Sequence, residues 1–226
     1  MTTTAIVTGA GTGFGLALTR ALADRGVAVV ACARDAGRLR AAVADLSGVR
    51  AVPGDVNDPV DRAAVLAAAV DRIDLLVHNA GELGPSPLPT LGAYPADALR
   101  GVLETTLLAP MQLTQRALPA LRAARGTVVT LSSDAAVEAY PGWGGYGAAK
   151  AALDQYAAVL GVEEPDLAVY AFDPGDMRTA MHQRAFPGED ISDRPEPETV
   201  VPALLRLVDE RPASGRYRAA DLAVAA

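Results

Sequence analysis

Short β-branched, apolar runs alternate with longer segments of helical periodicity along the whole chain. A strand that feeds a crossover helix returns parallel to its neighbour, so repeated alternation predicts an α/β, doubly wound parallel sheet with helices on both faces. Strands are expected over residues 4–8, 27–33, 49–52, 73–78, 127–132 and 167–172, with an edge strand over 214–218, about seven in all. Helical patterns fall near 13–25, up to 46, 59–71, 95–124, after 145, and 198–210. Neither an internal repeat nor a low-complexity segment interrupts the order.

At 226 residues the chain suits one domain, residues 1–226, with an ample core. Half the residues are hydrophobic, yet no apolar run approaches the roughly 20 needed to cross a bilayer, which predicts a soluble protein with no membrane role. The opening Met1-Thr-Thr-Thr-Ala-Ile-Val lacks a basic segment followed by an apolar stretch, so the expectation is cytoplasmic. The single cysteine, Cys32, lies in an apolar run, is read as core, and suits a reducing compartment. With 20 basic and 27 acidic residues the net charge is −7, and no strip of arginines suits a phosphate backbone; nucleic acid is excluded as a partner. No metal site is predicted.

Ligands of an open α/β sheet bind beyond the carboxyl ends of its strands. The first such end carries Thr8-Gly9-Ala10-Gly11-Thr12-Gly13-Phe14-Gly15, a glycine-rich turn opening a helix. Missing side chains let backbone N–H groups approach a pyrophosphate, and the helix N-terminus favours negative charge. The second strand ends in Ala33 followed by Arg34, a guanidinium that would meet a 2′-phosphate, which favours NADP over NAD. Asp35 competes as a ribose ligand or as the cap of the next helix. Asp55-Val56 and Asn79-Ala80-Gly81 end the third and fourth strands, and residues 82–95, rich in Pro and Gly, read as a loop.

Among 20 basic residues only Lys150 is a lysine, and it stands four residues after Tyr146. On a helix that spacing puts phenol and ammonium on one face, one turn apart. A compact ammonium beside a phenol favours the ionised phenol, which arginine's broad fork does less well.

These residues, in this order and at these spacings, resemble the single-domain short-chain dehydrogenase/reductase family over nearly the whole chain. Carrying the resemblance are Thr8-Gly9-x-x-x-Gly13-x-Gly15, Asp55-Val56, Asn79-Ala80-Gly81, Ser133, Tyr146-x-x-x-Lys150 and Pro174-Gly175-x-x-x-Thr179. It implies a Rossmann-like sheet and an NAD(P)(H)-dependent oxidoreductase that moves a hydride between a nicotinamide cofactor, NADPH here, and a carbonyl or alcohol. Gly9, Gly13, Phe14 and Gly15 would form the pyrophosphate turn, with Thr12 or Arg34 near the 2′-phosphate. Asp55 and Val56 would hold adenine, Asn79, Ala80 and Gly81 border the ribose, and Pro174, Gly175 and Thr179 meet the nicotinamide. Ser133 would orient substrate, Tyr146 exchange the proton, and Lys150 grip the ribose and favour phenolate; Ser132 reads as structural. The family further implies a homodimer or homotetramer paired through the long helix and the Tyr146 helix.

Two positions depart from the family pattern. Thr106 stands where an asparagine supports a proton path, and His78 replaces a second asparagine and reads as a buried structural residue. Glu82, Leu83, Asp134, Ala135, Glu138, Tyr140, Trp143, Met177, Met181 and His182 are candidate pocket residues, and 177–197 a substrate lid. A competing reading is a catalytically silent dinucleotide-binding regulator, which the presence of Ser133, Tyr146 and Lys150 opposes.

Overall fold

The computed structural model describes residues 3–69 and 72–222. Its elements run β1 (Thr4–Thr8), α1 (Gly13–Asp24), β2 (Ala28–Ala33), α2 (Ala36–Ala42), β3 (Val49–Pro53), α3 (Pro59–Ala68) and β4 (Leu75–His78). The second half continues with α4 (Ala96–Leu103), a π-helical turn (Glu104–Leu108), α5 (Ala109–Ala124), β5 (Thr127–Leu131), α6 (Gly144–Glu163) and β6 (Ala168–Asp173). It closes with α7 (Ala180–Ala185), α8 (Pro197–Glu210), β7 (Gly215–Arg218) and α9 (Ala219–Leu222).

The strands form one seven-stranded sheet in the order β3-β2-β1-β4-β5-β6-β7. Every pairing is parallel. Side chains alternate across each strand, so Ala5 and Val7 face one layer while Ile6 faces the other. Leu18, Leu22, Leu39 and Leu204 from α1, α2 and α8 cover the first face. Val65, Leu113, Leu121 and Leu160 from α3, α5 and α6 cover the second. Each fully buried leucine contributes about 2 kcal/mol relative to exposure. Order reverses between β1 and β4, and that switch point opens the crevice at the strands' carboxyl ends.

Two predicted helices change on folding. The pattern reaching residue 46 forms helix only to Ala42, where the chain turns toward Gly48 in the left-handed region (φ 75°). The 95–124 pattern is not one continuous α-helix: a π-helical turn separates α4 from α5. The predicted helix end at Asp71 lies outside the described residues. No helix among the described residues is long and apolar enough to cross a membrane.

Candidate active site

The glycine turn is fitted to its neighbours atom by atom. A Cβ on Gly15 would lie 2.4 Å from both Asn79 Nδ2 and the Gly9 carbonyl, and one on Gly9 would lie 2.6 Å from Asn79 Nδ2. Gly9 and Gly13 also sit at φ 66° and 53°, where a side chain is strained. Asn79 Nδ2 donates to the Thr8 and Gly9 carbonyls at 2.9 and 3.1 Å, while Thr8 Oγ1 accepts from the Asn79 and Ala80 N–H groups. The Asn79 amide therefore locks β4 to the glycine turn, a scaffolding duty that its family position alone does not reveal.

The same region fits a dinucleotide phosphate. Thr12 occupies the N-cap of α1 with no side-chain hydrogen bond to the helix, and no acid stands in the first turn. Phe14 differs from expectation: its ring is buried and stacks on Phe172 at 6.1 Å, leaving only its backbone for a ligand. Arg34 is exposed at the end of β2, 3.8 Å from Glu82. Asp35 caps α2, accepting from the Arg38 N–H at 2.9 Å. Asp55 Oδ1 accepts from the Asn57 N–H at the end of β3, beside buried Val56. Cys32 is buried, its thiol pushed up to about 12 by burial, as suits a core residue.

Across the switch point, Tyr146 and Lys150 lie one turn apart on α6, both buried. Gly147 lets this helix settle against the turn after β5, since a Cβ there would stand 2.5 Å from the Ala135 carbonyl. Lys150 Nζ lies 5.5 Å from the Tyr146 ring centroid, donates to the Leu131 carbonyl, and faces Gly81. Burial brings the ammonium down to about 8, with the carboxylates of Asp154 and Asp173 opposing the drop. Burial also raises the Tyr146 phenol; Ser133 counters this, and Asp134 and Asp173 add to it. Burial is the largest influence on the phenol, ahead of Ser133 and the two acids. Ser133 Oγ donates to Asp134 Oδ1 at 2.9 Å, its best-formed bond, although it stands near enough to Tyr146 to favour ionisation.

Ser133 and Tyr146 open onto a cavity of about 420 Å³. Of the candidate pocket residues, Leu83, Asp134, Tyr140, Trp143, Met177, Met181 and His182 line it; Glu82, Ala135 and Glu138 do not. Pro174, Gly175 and Thr179 line it too, and the Thr179 methyl lies 3.3 Å from where a Gly13 Cβ would stand. Ser132, Asp176, Ala185 and Phe186 line it as well; Ala185 and Phe186 fall in the 177–197 segment read as a lid, and none of the four was named as a pocket residue. Their signal was weak, because a short helix, α7, forms within the polar 177–197 segment. Trp143 meets Tyr146 edge-on at 5.6 Å and Phe186 at 5.9 Å, making one wall aromatic. Arg184 holds α7 down, donating to the Gly84 carbonyl and Glu82.

His78 is buried at the end of β4 with Nε2 2.7 Å from Thr114 Oγ1, and burial lowers it to about 3. It is neutral and structural. Thr106 lies in the π-helical turn, and its buried Oγ1 has no hydrogen-bond partner among the described residues. Ser132 Oγ donates to Asp154 Oδ2 at 2.7 Å. Among the described residues no group of three potential metal ligands comes together.

A doubly wound parallel sheet with a glycine turn at its switch point defines the dinucleotide-binding class of α/β proteins. Within that class, the short chain dehydrogenase family model matches residues 3–190, and the chain belongs to this oxidoreductase family. It is 32% identical over 183 residues to an L-fucose dehydrogenase of Rattus norvegicus, covering 79% of this chain and 67% of that protein. The match to an L-fucose dehydrogenase of Mus musculus is 37% identical, covering 57% of this chain and only 47% of the relative. A solved short-chain dehydrogenase of Escherichia coli complexed with NADPH superposes with a TM-score of 0.89 at 28% identity, covering 96% of each chain.

Proposed function

We propose that this chain is an NADP(H)-dependent carbonyl reductase or alcohol dehydrogenase. The observation carrying the reading is the convergence of Ser133 and Tyr146 on one cavity, with Lys150 buried one turn behind the phenol. A nicotinamide cofactor would supply hydride transfer. The backbone of Gly9, Thr12, Gly13, Phe14 and Gly15 would hold its pyrophosphate, and Arg34 its 2′-phosphate. Asp55 and Val56 would border the adenine, Asn79, Ala80 and Gly81 the ribose, and Pro174, Gly175 and Thr179 the nicotinamide end. An exposed, weakly engaged Arg34 and an Asp35 already spent on capping α2 support NADP over NAD. So does the NADPH-bound relative.

Tyr146 would exchange the proton of the substrate oxygen, and Ser133 would orient that oxygen after turning away from Asp134. The raised phenol keeps Tyr146 protonated, so it carries the proton that carbonyl reduction consumes, while its release needs the pKa brought back down. Positive charge brought close to the ring would lower it and permit the reverse reaction. Lys150 would hold the ribose and favour phenolate. The aromatic wall and Met181 suit a substrate with an apolar body, with 177–197 as the lid. We further infer a cytoplasmic homodimer or homotetramer, supported by Leu108, Val159 and Val162, which expose apolar surface on the helices concerned.

The test is turnover of a panel of ketones, aldehydes and quinones with NADPH and with NADH. Carbonyl reduction with NADPH preferred is expected. Preference for NADH would overturn the role of Arg34, and no turnover of any carbonyl would overturn the activity.

A further inference from the structure

The edge strand β7 sends one side chain back under the site. Arg216 Nε donates to Asp154 Oδ2 at 3.0 Å, and its Nη2 donates to Asp173 Oδ2 at 2.8 Å and to the Ser133 carbonyl at 3.0 Å. These acceptors come from α6, β6 and the turn after β5. Asp154 follows Lys150 by one helical turn and also accepts from Ser132, while Asp173 Oδ1 accepts from the Gly175 N–H at 3.0 Å. The Asp173 carboxylate is buried and that of Asp154 partly so, with side chains 4% and 14% exposed; Arg216 is 25% exposed. Two acids therefore share one guanidinium, and they are also the acids whose charge reaches Lys150.

We propose that Arg216 is a positioning residue: it ties Ser133, Asp154 and Asp173 into one cluster, and its charge sets how readily Lys150 gives up and regains its proton. The proposal rests on the reading that Lys150 works beside Tyr146. Lys150 is faced by Asp154 from its own helix, by Asp173 from β6, by the Leu131 carbonyl from β5, by the Tyr146 ring and by the Gly81 loop. Asp134 and Asp173 in turn bear on Tyr146. Without the guanidinium, both acids would act on the ammonium uncompensated, and the loss of a nearby cation would favour it further. Burial lowers the Lys150 ammonium, and Arg216, by engaging Asp154 and Asp173, limits how far those acids oppose that drop.

Because the chain has one lysine, labelling lysine Cε with carbon-13 gives a single side-chain NMR signal, and its titration reports Lys150 directly in the full chain without cofactor. In R216Q, which keeps hydrogen-bond donors but loses the charge, the midpoint should rise by about half a pH unit or more. D154N should lower it, and D154N/R216Q should fall between the two single variants. An unmoved midpoint in R216Q overturns the proposal. Where R216Q does not fold, the same comparison is made by adding R216Q to D154N, and the absence of a rise is equally decisive. Movement of the midpoint in a protein that reduces no carbonyl would sink the functional reading and leave the Arg216 assignment standing; turnover with a fixed midpoint would do the reverse.

Discussion

The two sides of the switch point are built on different physics. At the ends of β1 and β4, the glycine turn is shaped by the absence of atoms: Gly9 and Gly15 pack against the Asn79 amide with no space for a Cβ, and the nearby histidine is neutral. At the ends of β5 and β6, the site is shaped by charge withheld from water: a lysine, two aspartates and an arginine share a buried corner with a raised phenol. The first side suits the anion proposed for it, with no acid in the first turn of α1 and no side-chain cap at Thr12. The second suits the proton exchange proposed for it, because burial and nearby charges place Tyr146 and Lys150 away from their ordinary values.

The largest expected effect breaks the second side. Tyr146→Phe removes the exchangeable proton with little change in shape, so carbonyl turnover should fall by about 10²- to 10⁴-fold while NADPH binding stays nearly intact. Steady-state rates together with a fluorescence titration of NADPH check both halves. Retained turnover would detach the chemistry from this corner.

Next in size is a break of the first side. Gly15→Ala places a methyl against the Gly9 carbonyl and the Asn79 amide at 2.4 Å, and neither can yield without moving the turn. Stability should drop by about 1–3 kcal/mol and NADPH affinity by about tenfold or more, read by denaturant melts and by titration. Unchanged binding would show that the turn tolerates bulk.

The smallest effect sharpens the contrast between a neutral and a charged interior. His78 titrates near 3 when folded and near 6.5 when unfolded, so between those values only the unfolded chain takes up the proton. Its contribution is complete above about pH 6.5 and is lost as pH falls toward 3, by up to about 1.4 kcal/mol per pH unit. His78→Asn should flatten that slope, a change checked by urea melts at several acidic pH values. An unaltered slope would mean that the ring is not the group that resists acid.

Much of the first side was legible in sequence. The glycine turn, Asp55 and Asn79 each follow a strand, and the strand–helix alternation already places strand ends on one rim. Local order was enough because backbone conformation is a short-range property. What escaped was Phe14, whose place among the glycines of the turn hid a core side chain that finds Phe172. The second side was half legible: the lone lysine and its tyrosine stood out, but neither Arg216, in the edge strand, nor Asp154, on the Tyr146 helix, carries a local signal. Their partners lie 43 and 62 residues apart in sequence, and no spacing rule reaches that far.

The sequence alone determined the alternation, the parallel sheet, the glycine turn and the Tyr146–Lys150 pair, because each follows from periodicity or side-chain type within a few residues. Only the tertiary structure decided that Asn79 locks the turn, that α7 closes an aromatic wall, and that burial raises the Tyr146 phenol. Those outcomes depend on which groups lose water and which distant charges they meet instead, and both are fixed when the chain closes on itself.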